Sequence, residues 1–219
     1  MKLFLDSAIT DEIRKYYSTG MIDGVTTNPT LIYKSGRNPE DVYQELIDIG
    51  IPDISMEVVG DENTMIGEGR RLIKKFGNRQ ATIKVPCTVD GLAACRALSD
   101  EGARVNVTLV FSLAQSILSH KSGATYISPF VGRVNDNSFN GLDLIKEITA
   151  TFCTQNVEST QVLAASLRDV HSVAECFTYG ADIVTMPPSI FDKMYNHVLT
   201  EKGLQLFDAD YAATFGKAL

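Results

Sequence analysis

The chain has 219 residues, of which 44% are hydrophobic and 21% charged, with a formal net charge of −7. Such a composition fills the core of one large α/β domain, and an acidic chain without a cluster of Lys and Arg is a poor match for nucleic acid, so no nucleic-acid partner is expected. The opening MKLFLDSAIT reaches Asp6 after three apolar residues, too short a run for the core of a signal peptide, and no stretch approaches a membrane span. A cytoplasmic protein with no membrane partner is the expectation.

Cys87, Cys95, Cys153 and Cys176 form no CxxC pair in a chain too large to need disulfide staples, so free thiols are expected. His120, His171 and His197 lie far apart and no HExxH occurs, so no metal is expected either.

Apolar segments with a polar residue near the C-terminal end recur along the chain, each followed by a helix-like stretch. In order they are LFLD (3–6), closing on Asp6; GVTTN (24–28), closing on Asn28; ISMEVV (54–59), with Glu57; and ATIKV (81–85), with Lys84. There follow VNVTLV (105–110), with Asn106 and Thr108; YISPFV (126–131), with Ser128; VLAAS (162–166), closing on Ser166; and DIVTM (182–186). A period of roughly 20 to 35 residues is that of the strand and helix unit of a (β/α)8 TIM barrel. A doubly wound sheet would show fewer strands and a glycine-rich phosphate loop, and neither GxGxxG nor GxxxxGK[ST] is present.

The intervening stretches read as helices. Residues 61–77 open on acidic side chains, carry Arg71, Lys74 and Lys75 late and close on Gly77, and residues 89–102 end in the same way on Gly102. No linker or composition shift marks a boundary, so 1–219 is read as a single α/β domain, a (β/α)8 barrel with an additional C-terminal helix over 200–219. In that helix Leu204, Phe207, Tyr211 and Phe215 form an apolar stripe, which either packs on the chain's own barrel or makes a subunit contact.

Period-two alternation puts Thr82, Lys84 and Pro86 on one side of their strand, and Asn106 and Thr108 on one side of theirs, with Val105, Val107 and Leu109 turned toward the helices. An ammonium aimed into the barrel is either tied to a carboxylate or neutralised by desolvation, and a neutral amine is a nucleophile for carbonyls. The other polar groups fall at the C-terminal ends of the strands, the face on which barrels of this kind carry their active sites. Arg133 and Arg168 lie just past strands six and seven, where barrels often hold phosphate. The alternative for each is a surface pair with a carboxylate such as Asp136 or Asp169.

The blocks VTTNPTLI, ATIKVPCT, NVTLVFSLAQ, ISPFVGR and AASLRD, in this order, resemble the transaldolase family in its short form, which includes the fructose-6-phosphate aldolases. The resemblance implies a class I aldolase on a (β/α)8 barrel that needs no metal or organic cofactor and acts on sugar phosphates in the pentose phosphate pathway. It assigns Lys84 as the Schiff-base lysine, Asp6 as the acid/base, and Glu57 with Thr108 as the groups that position a catalytic water. Asn28, Asn106 and Ser128 match sugar-contacting positions, and Ser166, Arg133 and Arg168 match the phosphate site. Members of the short form assemble as pentamers or decamers through an exchanged C-terminal helix, so a homo-oligomer is expected.

Within the family, glutamate at position 57 and phenylalanine at position 130 match transaldolases, whereas the aldolases carry glutamine and tyrosine. The resemblance therefore implies transfer of a dihydroxyacetone unit between a ketose phosphate and an aldose phosphate, with a fructose-6-phosphate aldolase as the alternative. A barrel that binds sugar phosphates without catalysis is a third reading, disfavoured because a binder needs neither an amine nucleophile nor two carboxylates near an anion.

Overall fold

The computed structural model describes residues 1–216. Eight parallel strands, β1 (Lys2–Asp6), β2 (Gly24–Thr26), β3 (Ile54–Glu57), β4 (Ala81–Pro86), β5 (Val105–Val110), β6 (Tyr126–Pro129), β7 (Gln161–Ala164) and β8 (Ile183–Met186), close into a barrel in sequence order. β8 pairs back on β1, with Phe4 opposite Thr185. Helix α1 (Thr10–Tyr17) follows β1, and α2 (Pro29–Ser35) and α3 (Pro39–Ile49) follow β2. Helices α4 (Glu62–Phe76), α5 (Val89–Asp100) and α6 (Leu113–Lys121) follow β3, β4 and β5, and α7 (Val131–Asp136) and α8 (Gly141–Thr154) follow β6. Finally α9 (Val170–Thr178) follows β7, and α10 (Pro188–Lys193) and α11 (Val198–Phe215) follow β8.

This is the predicted (β/α)8 architecture, and its elements start where side-chain chemistry dictates. Asp61 accepts a hydrogen bond from the Thr64 amide at 2.8 Å and so caps α4, whose last turn carries Lys74 and Lys75 against the negative end of the helix dipole. Four predicted strands end early, β3 among them at Glu57 rather than Val59. Asn28 is the N-cap of α2, Phe130 is the N-cap of α7, and Ser166 lies two residues past the end of β7 with a left-handed backbone, φ 60°.

In β5 the expected alternation fails at Leu109. Its φ of 59° inserts an extra residue and shifts the register between Val107 and Val110, so Val110 takes the helix-facing place expected of Leu109. Thr108 keeps its inward direction, opposite Pro86.

The barrel interior is divided along its axis. Phe4, Tyr126, Leu163 and Ile183 fill the N-terminal half, with Phe4 and Tyr126 edge to face at 6.4 Å. Below them Asp53 accepts hydrogen bonds from the Thr82 and Tyr126 hydroxyls and from Arg104, each at 2.7 Å. Burial and the Asp53 charge hold the Tyr126 phenol above its ordinary pKa, so it stays a donor. The upper half of the interior is polar and forms the site described below.

The C-terminal helix begins at Val198, and none of its described side chains is buried. Leu204 is 56% exposed, Phe207 67% and Phe215 65%, so the stripe does not pack on the chain's own barrel. Residues 217–219 of the predicted extension lie outside the described residues. Among the described residues no helix is long and apolar enough to cross a membrane.

Gly24 sits opposite Phe4 in the barrel wall, and a Cβ there would come within 2.6 to 2.7 Å of three ring atoms of Phe4. Gly24→Ala is therefore expected to destabilise the fold by about 1–3 kcal/mol through overpacking. Urea unfolding should show a lower midpoint, partly restored when Phe4→Leu is added to the same chain. An undisturbed midpoint would mean that the ring is free to move aside.

Candidate active site

A cavity of about 80 Å³ opens at the C-terminal mouth of the barrel, and its lining comes from seven of the eight strand ends. Of the residues expected at a site, Asp6, Asn28, Lys84, Thr108, Ser128, Phe130, Arg133 and Ser166 line it. Glu57, Asn106 and Arg168 do not, although the first two lie in the layer directly behind.

Lys84 is buried, and its ammonium donates to Glu57 Oε2 at 3.0 Å and to the Thr27 carbonyl at 2.9 Å. β3 and β4 bring Glu57 and Lys84 opposite each other in register, and β5 brings Asn106 opposite Lys84 on the other side. The pair is nearly dry, with side chains 5% and 11% exposed. Of the two states read for a lysine at this place, the structure has the one tied to a carboxylate, and that carboxylate is itself one of the candidate residues.

Asp6 accepts a hydrogen bond from Thr26 Oγ1 at 2.8 Å, and Thr26 shares a second hydrogen bond with Thr185 at 2.7 Å. Burial raises the Asp6 carboxyl above the ordinary carboxylate range, against the opposing pull of Lys84, the Thr26 hydroxyl and Arg133. A carboxylate in this state gives and takes a proton nearer neutrality than a surface aspartate does.

Asn106 is held on both sides. Its Oδ1 accepts from Ser128 Oγ at 2.7 Å and its Nδ2 donates to Ser55 Oγ at 3.2 Å, which fixes the amide orientation beside Lys84. Asn28 uses its Oδ1 to cap α2 through the Leu31 amide, leaving Nδ2 for the cavity side. Thr108 Oγ1 is the one buried side-chain polar atom among the described residues with no hydrogen-bond partner. An orphaned buried hydroxyl costs about 1–3 kcal/mol, and one that persists in a cavity wall marks a place where a polar group is to be received.

On the far rim the guanidinium of Arg133 lies over the Phe130 ring at 4.7 Å, and that ring packs against Phe111. Gly132 donates its amide to the Ser166 carbonyl at 3.0 Å, and a Cβ on it would meet that oxygen at 2.3 Å and Arg168 Nε at 2.9 Å. Only glycine lets Ser166 and Arg168 come this close to α7. Arg168, however, is paired in a fork with Asp136, its Nη2 at 2.7 Å from Oδ2. Of the two arginines expected at a phosphate, Arg133 lines the cavity and Arg168 is held at its edge by a surface carboxylate.

Sequence reasoning missed Thr26, Thr27, Ser55, Thr185 and Gly132, while the pair of Arg168 with Asp136 is the surface alternative it named. Thr26 and Thr185 carried a signal, since both interrupt apolar strands on the inward side. Thr27 acts through its backbone carbonyl, which no side-chain pattern can reveal. Among the described residues no group of three or more His, Cys, Asp or Glu could hold a metal ion.

Residues 3–218 match the sequence model of a family described as transaldolase/fructose-6-phosphate aldolase. Among the relatives is a probable transaldolase of Cereibacter sphaeroides (strain ATCC 17025), 49% identical over 98% of this chain and 97% of its own. A probable transaldolase of Paracoccus denitrificans is 49% identical over 98% of both chains, and one of Ruegeria sp. (strain TM1040) is 47% identical over the full length of both.

The raised pKa of Asp6 makes a stability prediction. A carboxyl whose folded pKa exceeds its unfolded value of about 3.9 weakens the fold once pH rises through the folded value, and does not weaken it below the unfolded one. Asp6→Asn should therefore unfold at higher urea than the parent at pH 7, with the difference shrinking as the pH falls toward about 4. A variant less stable than the parent at pH 7 would show that Asp6 is held by its partners rather than strained by burial.

Proposed function

The chain belongs to the transaldolase and fructose-6-phosphate aldolase family, and from that premise we propose that it moves a dihydroxyacetone unit between sugar phosphates through a Schiff base on Lys84. The donors are fructose 6-phosphate or sedoheptulose 7-phosphate, and the acceptors erythrose 4-phosphate or glyceraldehyde 3-phosphate. The observation that carries the reading is the dry ion pair of Lys84 and Glu57 at the cavity, 3.0 Å apart. It offers the amine a nearby acceptor for its proton.

The steps balance on these residues. Lys84 passes one proton to Glu57, and its lone pair bonds to the ketose C2 carbon. A second proton moves from nitrogen to the new alkoxide, Glu57 returns its proton to that hydroxyl, and water leaves with the C–O electron pair. The product is a protonated imine bearing the original positive charge. The C3–C4 electron pair then flows toward the imine as Asp6 takes the proton of the C4 hydroxyl, and the aldehyde phosphate departs. The three-carbon enamine remains on Lys84. An acceptor aldehyde reverses these steps, with Asp6 now the proton donor, and water returns to free the lysine. The Thr108 hydroxyl, lacking a protein partner, suits the water that Glu57 handles. Arg133 and Ser166 suit the phosphate. Arg168 joins them by leaving, or sharing, its exposed pair with Asp136, which such a pair allows at small cost.

Transfer, rather than simple cleavage, is favoured by Phe130 at the cavity wall. A phenyl ring supplies no hydroxyl to protonate the enamine, so the intermediate lasts until an acceptor arrives. The apolar stripe of α11, exposed on the single chain, suits an interface between copies in a homo-oligomer.

Release of glyceraldehyde 3-phosphate from fructose 6-phosphate should be slow alone and rise strongly with erythrose 4-phosphate. Borohydride should add donor-derived mass at Lys84, and Lys84→Arg should abolish both signals, because a guanidinium stays protonated. Equal rates with and without acceptor would make the protein an aldolase, and full activity in Lys84→Arg would exclude the covalent route.

Deleting residues from Val198 onward should lower the assembled mass in light scattering while circular dichroism keeps the barrel's helical signal. A mass per chain equivalent that does not change would remove α11 from any interface.

A further inference from the structure

Two cavities share one ion pair, carried by the paired strands β3 and β4. Lys84 lines the mouth cavity and Glu57 does not, whereas Glu57 lines a crevice of about 430 Å³ on the barrel's flank, beside α2, α3 and α4, which Lys84 does not line. The two side chains, opposite each other in register, meet at 3.0 Å. Glu57 is the more exposed of the two, 11% against 5% for Lys84.

The crevice has a buried apolar floor of Ile32, Leu72 and Tyr43, the last edge to face with Phe76 at 5.9 Å. Its rim is charged and exposed: Arg71 pairs with Glu40 and with Glu68, each at 2.7 Å. Surface pairs of this kind open at little cost, so they screen the crevice without sealing it.

Such a passage would serve the reaction proposed above, and the inference rests on that reading. Every imine formed releases one water and every imine hydrolysed consumes one, both at the carbon bonded to Lys84. At those moments the barrel mouth is filled by the sugar chain, with its phosphate at the Arg133 rim. The mouth cavity, about 80 Å³, is much smaller than the flank crevice. We propose that the flank crevice is the water port of the active site: the water expelled at Lys84 is handed by Glu57 to the crevice, and the water that hydrolyses the product imine enters by the same way. The substrate thus comes and goes through the mouth while the oxygen of its carbonyl leaves through the side.

The test follows that oxygen. Fructose 6-phosphate labelled with oxygen-18 at C2 is mixed with erythrose 4-phosphate in ordinary water, and the label in the sedoheptulose 7-phosphate formed is measured by mass spectrometry against an enzyme-free control. A Glu68→Cys chain in a Cys153→Ser background is folded first and then modified at the crevice with methyl or benzyl methanethiosulfonate, with the Cys153→Ser parent treated in parallel. Because the plug is added after folding and removed by reductant, a folding defect cannot imitate its effect. An open port washes the label out, so the unmodified and methylated proteins should give product with little oxygen-18. The benzylated protein should retain the label several-fold more per transfer, and reductant should return it to the unmodified value. Product equally poor in label with the benzyl group in place would overturn the port, as would equal retention in all forms, which would mean a captive water. Absence of both product and borohydride adduct in the unmodified protein would overturn the proposed function and this inference together, whereas an adduct and transfer with no plug effect would overturn the port alone.

Discussion

A lysine ammonium and a glutamate carboxylate, both almost without water and facing each other across neighbouring strands, set the terms for the upper half of this barrel. Removing one partner of such a pair leaves a buried charge uncompensated, at a cost of about 3–5 kcal/mol, so the strands that carry them must be held in register. Closure of the sheet does this, because each strand is fixed by a neighbour on both sides. The Thr27 carbonyl adds a third contact to the ammonium, and Asn106, locked between Ser55 and Ser128, stands on its other flank. The polar upper layer is thus a consequence of placing one charge inside the barrel and having to satisfy it.

The lower half meets the opposite requirement. Phe4, Leu163 and Ile183 exclude water there, and the polar groups beneath them are matched against one another around Asp53. A dry, fully paired floor gives the mouth a rigid base, and the groups at the mouth can then be left in unfavourable states: a desolvated Asp6 and a partnerless Thr108 hydroxyl.

Strand identity was legible in the sequence because each inward polar residue interrupts an apolar run, and the period of those runs revealed the barrel. Lys84, Asp6 and Thr108 could be found in this way, and their convergence follows from the fold alone. What stayed hidden has physical reasons. The bulge at Leu109 depends on a backbone angle that leucine rarely adopts, and so breaks an alternation that the residues themselves keep. That Arg168 takes Asp136 rather than Asp169 depends on how the end of α7 meets the segment after β7, a distance no spacing encodes. The Thr27 contact is made by backbone, and the exposure of α11 reflects the absence of a facing surface in the single chain, where its stripe looks like that of any core helix.

Ser166 turns this reasoning into a comparison between the resident residue and the one that stability would choose. Its left-handed backbone, φ 60°, costs a residue with a Cβ about 1–2 kcal/mol. Glycine would be free of that strain and would lose about 0.5–1 kcal/mol through the entropy of a looser unfolded chain. The balance is level or favours glycine, so stability gives no reason for a serine here. A screen that rewarded only heat tolerance would drift toward glycine at this position, while a screen that rewarded turnover would hold the hydroxyl. The divergence between the two selections would mark position 166 as a site of use, with no ligand in view.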